Sequence, residues 1–159
     1  MSFKDKQFAD RFSDTMWNHS ERVFEDVWPY PWERFGLGES DDSSKIDTWH
    51  LTSFIRHRPD YITQIGRSLY LMEVQGTSTS QKFKQSKLDA CSRWNKEHQV
   101  FYWCWDDKNK QEAVISHNKV QLLIAQGLAE KGLFDGKRPY WALPIELVVQ
   151  EADWGYSVR

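Results

Sequence analysis

Two runs of strand character flank the dipeptide Gly66-Arg67, "DYITQI" (60–65) and "SLYLMEVQ" (68–75). No other feature restricts the fold so tightly, because a two-residue connection forces the runs into an antiparallel hairpin and fixes which residues face one another. Glycine at the first central position suits a type II′ turn, which needs a positive φ there. Opposed residue numbers then sum to 133, so Ile65 faces Ser68, Gln64 faces Leu69 and Asp60 faces Glu73. Directly opposed side chains have Cβ atoms about 4.5–5.5 Å apart. Two carboxylates at that separation repel unless a cation lies between them. A divalent ion of the magnesium type, which takes carboxylate oxygens and retains water, meets that need. Side chains alternate along a strand, so Gln75 shares the face of Glu73. Taken singly, Asp60 reads as a residue at a strand end and Glu73 as an edge charge that discourages aggregation. Their register is what joins them.

The rest of the chain places this hairpin among helices. Phe8, Phe12, Met16, Val23, Phe24, Val27 and Trp28 recur at helical spacing, so residues 3–28 read as one or two amphipathic helices. Two prolines, two glycines and a Ser/Asp cluster mark 28–45 as a loop. "IDTWHLTSFIRH" (46–57) is rich in β-branched and aromatic residues and reads as a strand ahead of the hairpin. Residues 80–96 read as a helix, "QVFYWCWD" (99–106) as a buried strand, and 116–132 as a helix capped by Ser116 and Gly132. A last strand is expected in "YWALPIELVVQ" (140–150). The order α-β-β-β-α-β-α-β, with a strand reached through a helical crossover, predicts an α/β architecture: a mixed β-sheet flanked by helices.

Size and charge narrow the function classes. A chain of 159 residues suits a single domain spanning 1–159. No run approaches the 18 uncharged apolar residues of a membrane span, and "MSFKDKQFADRF" lacks the apolar segment of a secretory signal, so a cytoplasmic location is expected. Cys91 and Cys104 form no CxxC pair and read as buried thiols. The net charge of −2 is uneven: residues 1–48 hold 6 Lys/Arg against 11 Asp/Glu, and the remainder 15 against 12. Lys82, Lys84, Lys87, Arg93 and Lys96 crowd 81–96 against Asp89 alone. That cluster reads either as a solvated helix face or as a phosphate-facing patch. GxxxxGK, GxGxxG and GxSxG are absent, which removes nucleotide-hydrolase and esterase readings. His50, His57 and His117 lack partners at metal-binding spacing.

Pro59-Asp60, then Glu73-Val74-Gln75 across a short hairpin, then Gly76 and a basic helix resemble the PD-(D/E)XK nucleases. This superfamily includes many restriction enzymes, phage Holliday-junction resolvases and one class of homing endonucleases. "RPDYI…LYLMEVQGT" looks particularly like the resolvase form, and the resemblance covers roughly residues 15 to 130. It implies a restriction-endonuclease-like core and a metal-dependent endodeoxyribonuclease, of homing, restriction or junction-resolving type. Asp60, Glu73 and the Val74 carbonyl would hold Mg2+, for which Mn2+ substitutes. The family also places a glutamate on the helix before the sheet; Glu21 fits, with Glu25 as the alternative. Gln75 stands where the family most often has lysine, so it orients water without bringing charge. Lys87 is the candidate to supply that charge, because Phe83, Lys87, Cys91 and Trp94 would fall on one helical stripe. The other reading of Lys87 is a buried stem with a solvated head. Lys82, Lys84, Lys87 and Arg93 would contact DNA phosphates. Cutting both strands implies a homo-oligomer, a dimer or a tetramer. The departure at Gln75 also motivates the opposite reading, a nuclease fold whose chemistry has lapsed, leaving a DNA-binding or virion structural protein.

Overall fold

The computed structural model describes residue 16 and residues 18–36, 50–135 and 137–155, the last two by backbone alone. Helix α1 covers 18–27. It is followed by β1 (Trp32–Arg34), α2 (Ser53–Arg56), β2 (Tyr61–Ile65), β3 (Ser68–Thr77), β4 (Ser80–Lys84) and α3 (Gln85–Glu97). The remaining elements are β5 (Val100–Asp106), β6 (Gln111–Ser116), α4 (His117–Ala125), β7 (Glu130–Phe134), β8 (Arg138–Pro144), α5 (Ile145–Gln150) and β9 (Trp154–Gly155). Six strands form a mixed sheet in the order β1-β2-β3-β5-β6-β9, and β4-β8-β7 form a second, antiparallel sheet. The one parallel pair of the larger sheet, β3 with β5, is the pair that α3 connects.

The hairpin register is the expected one, from Ile65 opposite Ser68 to Tyr61 opposite Met72. Gly66 has φ +64°, and Arg67 is not among the residues of positive φ, which is the pattern of a type II′ turn. Alternation along β3 then divides the core. Met72 and Val74 pack with Phe24 of α1 and with Trp28 just beyond it, while Leu71 joins Leu88 and Cys91 of α3 on the other face. Gly76 lets α1 settle onto β3, since a Cβ there would lie 1.9 Å from Ser20 Oγ. Trp28 Nε1 donates to Thr63 Oγ1 at 2.8 Å and ties the end of α1 to β2.

Several expectations are overturned. Residues 50–57 hold the short helix α2 rather than a strand; 46–49 lie outside the described residues. The aromatic content of that stretch serves a contact with α3, where Phe54 stacks on Trp94 at 4.2 Å and its carbonyl accepts from Trp94 Nε1. The third strand of the meander is instead β1, inside the stretch read as loop. Three residues are too few to show alternation, yet Trp32 packs on Phe24 and Tyr61. The segment 80–96 is not one helix: Gln81 and Phe83 are buried while Lys82 is exposed, and this period of two pairs β4 with β8 before α3 begins. Phe83 therefore lies off the stripe that carries Lys87, Cys91 and Trp94. Ser116 is the N-cap expected, its side chain accepting from Lys119 N–H, but the helix ends at Ala125 and Gly132 belongs to β7. Gly127, at φ +78°, supplies the break two residues beyond that end. Residues 140–150 change from strand to helix after Pro144, and β6 was not anticipated.

His117 is a structural residue. Ser92 Oγ donates to the Leu88 carbonyl, so it accepts from His117 Nε2 at 2.9 Å, which leaves Nδ1 to accept from the Tyr102 hydroxyl at 2.8 Å. Burial pushes the imidazole pKa down from 6.5 to about 4. Between those values the unfolded chain binds a proton that the folded chain refuses, so the stability this group contributes is present above pH 6.5 and lost on acidification. Unfolding free energy is expected to fall by about 2 kcal/mol from this group between pH 7 and 5. Urea titrations across that range check it: His117→Gln flattens the slope, and an unchanged slope refutes the assignment.

Candidate active site

The hairpin delivers its acidic residues to the end of β2 remote from the turn, beyond which β3 continues paired with β5. Tyr61 opposite Met72 is the last pair, and the same register puts Asp60 opposite Glu73. Asp60 Oδ2 accepts the Val74 N–H at 2.9 Å. In a strand the N–H and C=O of one residue project to the same side, so the Val74 carbonyl also opens toward Asp60. The Asp60 carbonyl in turn accepts from Phe35 and Gly36 N–H at 2.8 and 3.0 Å. Gly36 is required for that approach, because a Cβ there would lie 2.9 Å from Asp60 Cα. Asp60 is thus fixed through side chain and main chain alike.

Glu73, buried at 4% exposure, meets Lys87 from the first turn of α3, Nζ to Oε1 at 3.2 Å. Lys87 Nζ also donates to the Arg58 carbonyl at 3.4 Å. Both carboxylates and this ammonium bear on Cys91. Burial pushes the thiol up to about 12, Glu73 and Asp60 add to the rise, and Lys87 opposes it. Gln75 shares the face of Glu73, and its Oε1 is buried with no hydrogen-bond partner among the described residues.

Glu21 approaches from the opposite face of the sheet, on α1. It is buried, and Arg34 of β1 grips both its oxygens at 2.8 and 3.0 Å. Burial raises the Glu21 pKa, Arg34 counters it, and Asp60 adds to the rise, which sets Glu21 within electrostatic reach of Asp60. The alternative, Glu25, is exposed and accepts from the Tyr61 hydroxyl at 2.7 Å. Arg34 and Tyr61, 3.1 Å apart, were not singled out from sequence. Their only signal was the Trp-Glu-Arg alternation inside "PWERFG", masked by its flanking Pro and Gly.

The four cations expected on phosphates do not share one surface. Lys82 and Lys84 lie on one side of β4, Lys87 enters the carboxylate cluster, and Arg93 stacks its guanidinium over Phe54 at 4.0 Å.

Among the described residues no three His, Cys, Asp or Glu side chains form a ready-made metal-ligand group. The donor set expected here is of another kind: the carboxylates of Asp60 and Glu73 and the Val74 carbonyl. All are hard oxygen donors, which fit magnesium or manganese rather than a soft metal. Glu21 differs, since both its oxygens are engaged by Arg34.

A solved structure shares this fold. Hjc of Archaeoglobus fulgidus, a Holliday junction resolvase from an archaeal hyperthermophile, aligns with a TM-score of 0.51 at 9% identity, over 83% of this chain and 86% of its own. The chain has the restriction-endonuclease-like fold. D212, a nuclease from a fusselovirus, aligns at 11% identity over 92% of this chain and 86% of its own, with a TM-score of 0.45. No protein-family model and no curated protein sequence matches. Asp60 lies just before β2 and Glu73 within β3, and Gln75 is the residue that departs from the motif the sequence resembles. The ammonium beside Glu73 comes from α3 instead of β3. No helix among the described residues is long and apolar enough to cross a membrane.

Proposed function

We propose that the protein is a metal-dependent endodeoxyribonuclease that hydrolyses DNA phosphodiester bonds. The observation that carries this reading is the convergence of Asp60, Glu73 and Lys87 at the open end of β2, within a nuclease fold. Asp60, Glu73 and the Val74 carbonyl would hold the divalent ion. When bound, the ion lowers the pKa of water and offsets negative charge on the phosphoryl oxygens. The protein's own part is positional and electrostatic. The main-chain bonds from Phe35 and Gly36 hold Asp60 against β3, so its carboxylate is preorganised at no cost during reaction. Lys87, with its stem buried, keeps an ammonium beside Glu73 to stabilise charge developing on the phosphate. The Gln75 amide orients the attacking water. Arg34 holds the Glu21 carboxylate in place on α1 without itself touching substrate.

The likeness to the Archaeoglobus Holliday junction resolvase supports a junction-resolving enzyme, while the fold also serves restriction and homing types. Cutting both strands calls for two sites, hence a homodimer or a tetramer. Incubation with a four-way junction, a linear duplex and single strands, in Mg2+, Mn2+ or EDTA, tests the reading. Cleavage is expected in either metal and none in EDTA. Cutting confined to junctions, or to one duplex sequence, assigns the type; binding without cutting in any metal replaces the proposal with the lapsed-nuclease reading.

A further inference from the structure

The small β4-β8-β7 sheet turns one face to the core through Gln81, Phe83 and Leu143, and its other face has a different character. The register gathers Lys82, Lys84, Phe134, Arg138 and Tyr140 on that outer side. The Phe134 and Tyr140 rings sit 4.4 Å apart, centroid to centroid, neither of them buried. Tyr140 lies over Gly132, where a Cβ would come within 2.3 Å of its ring. The absent side chain is what lets the ring lie down on the sheet. Lys82 Nζ stands 5.2 Å from the Tyr140 centroid and 5.7 Å from that of Phe134; Lys84 Nζ stands 5.9 Å from Phe134. Among the described residues the acidic groups nearby are Glu130 at the far strand and Asp135, which pairs with Arg138 at 2.8 Å, and Lys82 forms no ion pair.

A rigid aromatic pair overhung by ammonium groups matches what an unpaired nucleic-acid strand offers. Bases stack on rings whatever their identity, and phosphates meet the cations. A duplex hides the faces of its bases and has no use for the rings. β4 runs directly into α3, so this face and the carboxylate cluster are joined in sequence through residues 84–87.

We infer that this face seats one or two unpaired bases on Phe134 and Tyr140, with Lys82 on a flanking phosphate. The protein thereby favours substrates with an unpaired segment. That the strand is DNA, and that it is cut, rests on the nuclease reading; the stacking surface does not.

Fluorescence anisotropy of a labelled oligothymidylate and of a blunt duplex, both in EDTA, tests it. Tyr140→Leu and Phe134→Leu keep apolar bulk without a ring and are expected to weaken oligothymidylate binding about tenfold each. Tyr140→Phe retains the affinity, and none of the three alters duplex binding. Lys82→Gln weakens binding and lowers its salt dependence by about one counterion. The inference fails if the wild-type protein does not bind oligothymidylate, if the leucine variants bind it normally, or if they weaken duplex binding equally. Thermal melts show whether a leucine variant is folded, and Tyr140→Phe reports the need for a ring if one is not. Ring-dependent binding by a protein that cuts nothing keeps this inference and sinks the nuclease reading; cleavage with ring-independent binding does the reverse.

Discussion

Glu73→Gln is expected to reduce DNA cleavage by roughly 10³-fold or more, the scale lost when a group that organises transition-state charge is removed. The amide keeps the size of the carboxylate and still accepts from Lys87 Nζ, now 3.2 Å away, but loses the anionic oxygen needed for a divalent cation. Glu73→Ala should be equally inactive and less stable. It strips the buried Lys87 ammonium of its carboxylate, and breaking a buried pair on one side costs about 3–5 kcal/mol. Single-turnover cleavage in Mg2+ together with thermal melts separates the two losses. Both variants are dead, and only the alanine melts markedly lower. Wild-type cutting by either removes Glu73 from the site and, with it, the metal assignment.

How far such a site is visible in a sequence depends on what fixes each part. Asp60, Glu73 and Gln75 were legible because a two-residue turn leaves a single register, and every consequence on the two strands follows by counting. β5 was legible because a run apolar on both faces has nowhere to go but the centre of a sheet. Lys87 was legible for a weaker reason, a helical stripe whose first member, Phe83, belongs to a strand. Its inward face survived the error because Cys91 and Trp94 fix the same side of α3. Arg34 was not legible, since β1 is three residues long and exists by pairing with β2, a contact 27 positions away between Arg34 and Tyr61. The outer face of the β4-β8-β7 sheet was hidden for a related reason. Lys82 and Lys84 looked helical in a polar stretch, and only pairing with β8 brings Tyr140 and Phe134 beside them. Local pattern reports what a segment can bury, while partners distant in sequence decide what it becomes.

Lys87→Met should lower the cleavage rate about 10²–10³-fold while leaving DNA affinity nearly unchanged, because the ammonium is spent on Glu73 and the reacting phosphate and not on the backbone of bound DNA. Its side chain is 13% exposed, too little for a phosphate-binding lysine of the usual solvated kind. Methionine keeps most of the stem packing and removes only the charge. The decisive companion is the double variant Gln75→Lys with Lys87→Met. Residue 75 shares the face of Glu73, and its amide oxygen already reaches a buried position without a partner among the described residues. A lysine there restores the cation from β3, where the PD-(D/E)XK pattern most often carries it. Rates measured with saturating enzyme should recover at least tenfold over Lys87→Met, since a single charge is moved rather than replaced. Should Lys87→Met cut at the wild-type rate, the α3 lysine only packs. Should it be inactive and the double variant remain so, the charge alone does not explain its role, and the contact of Lys87 with Glu73 serves to hold the carboxylate in place.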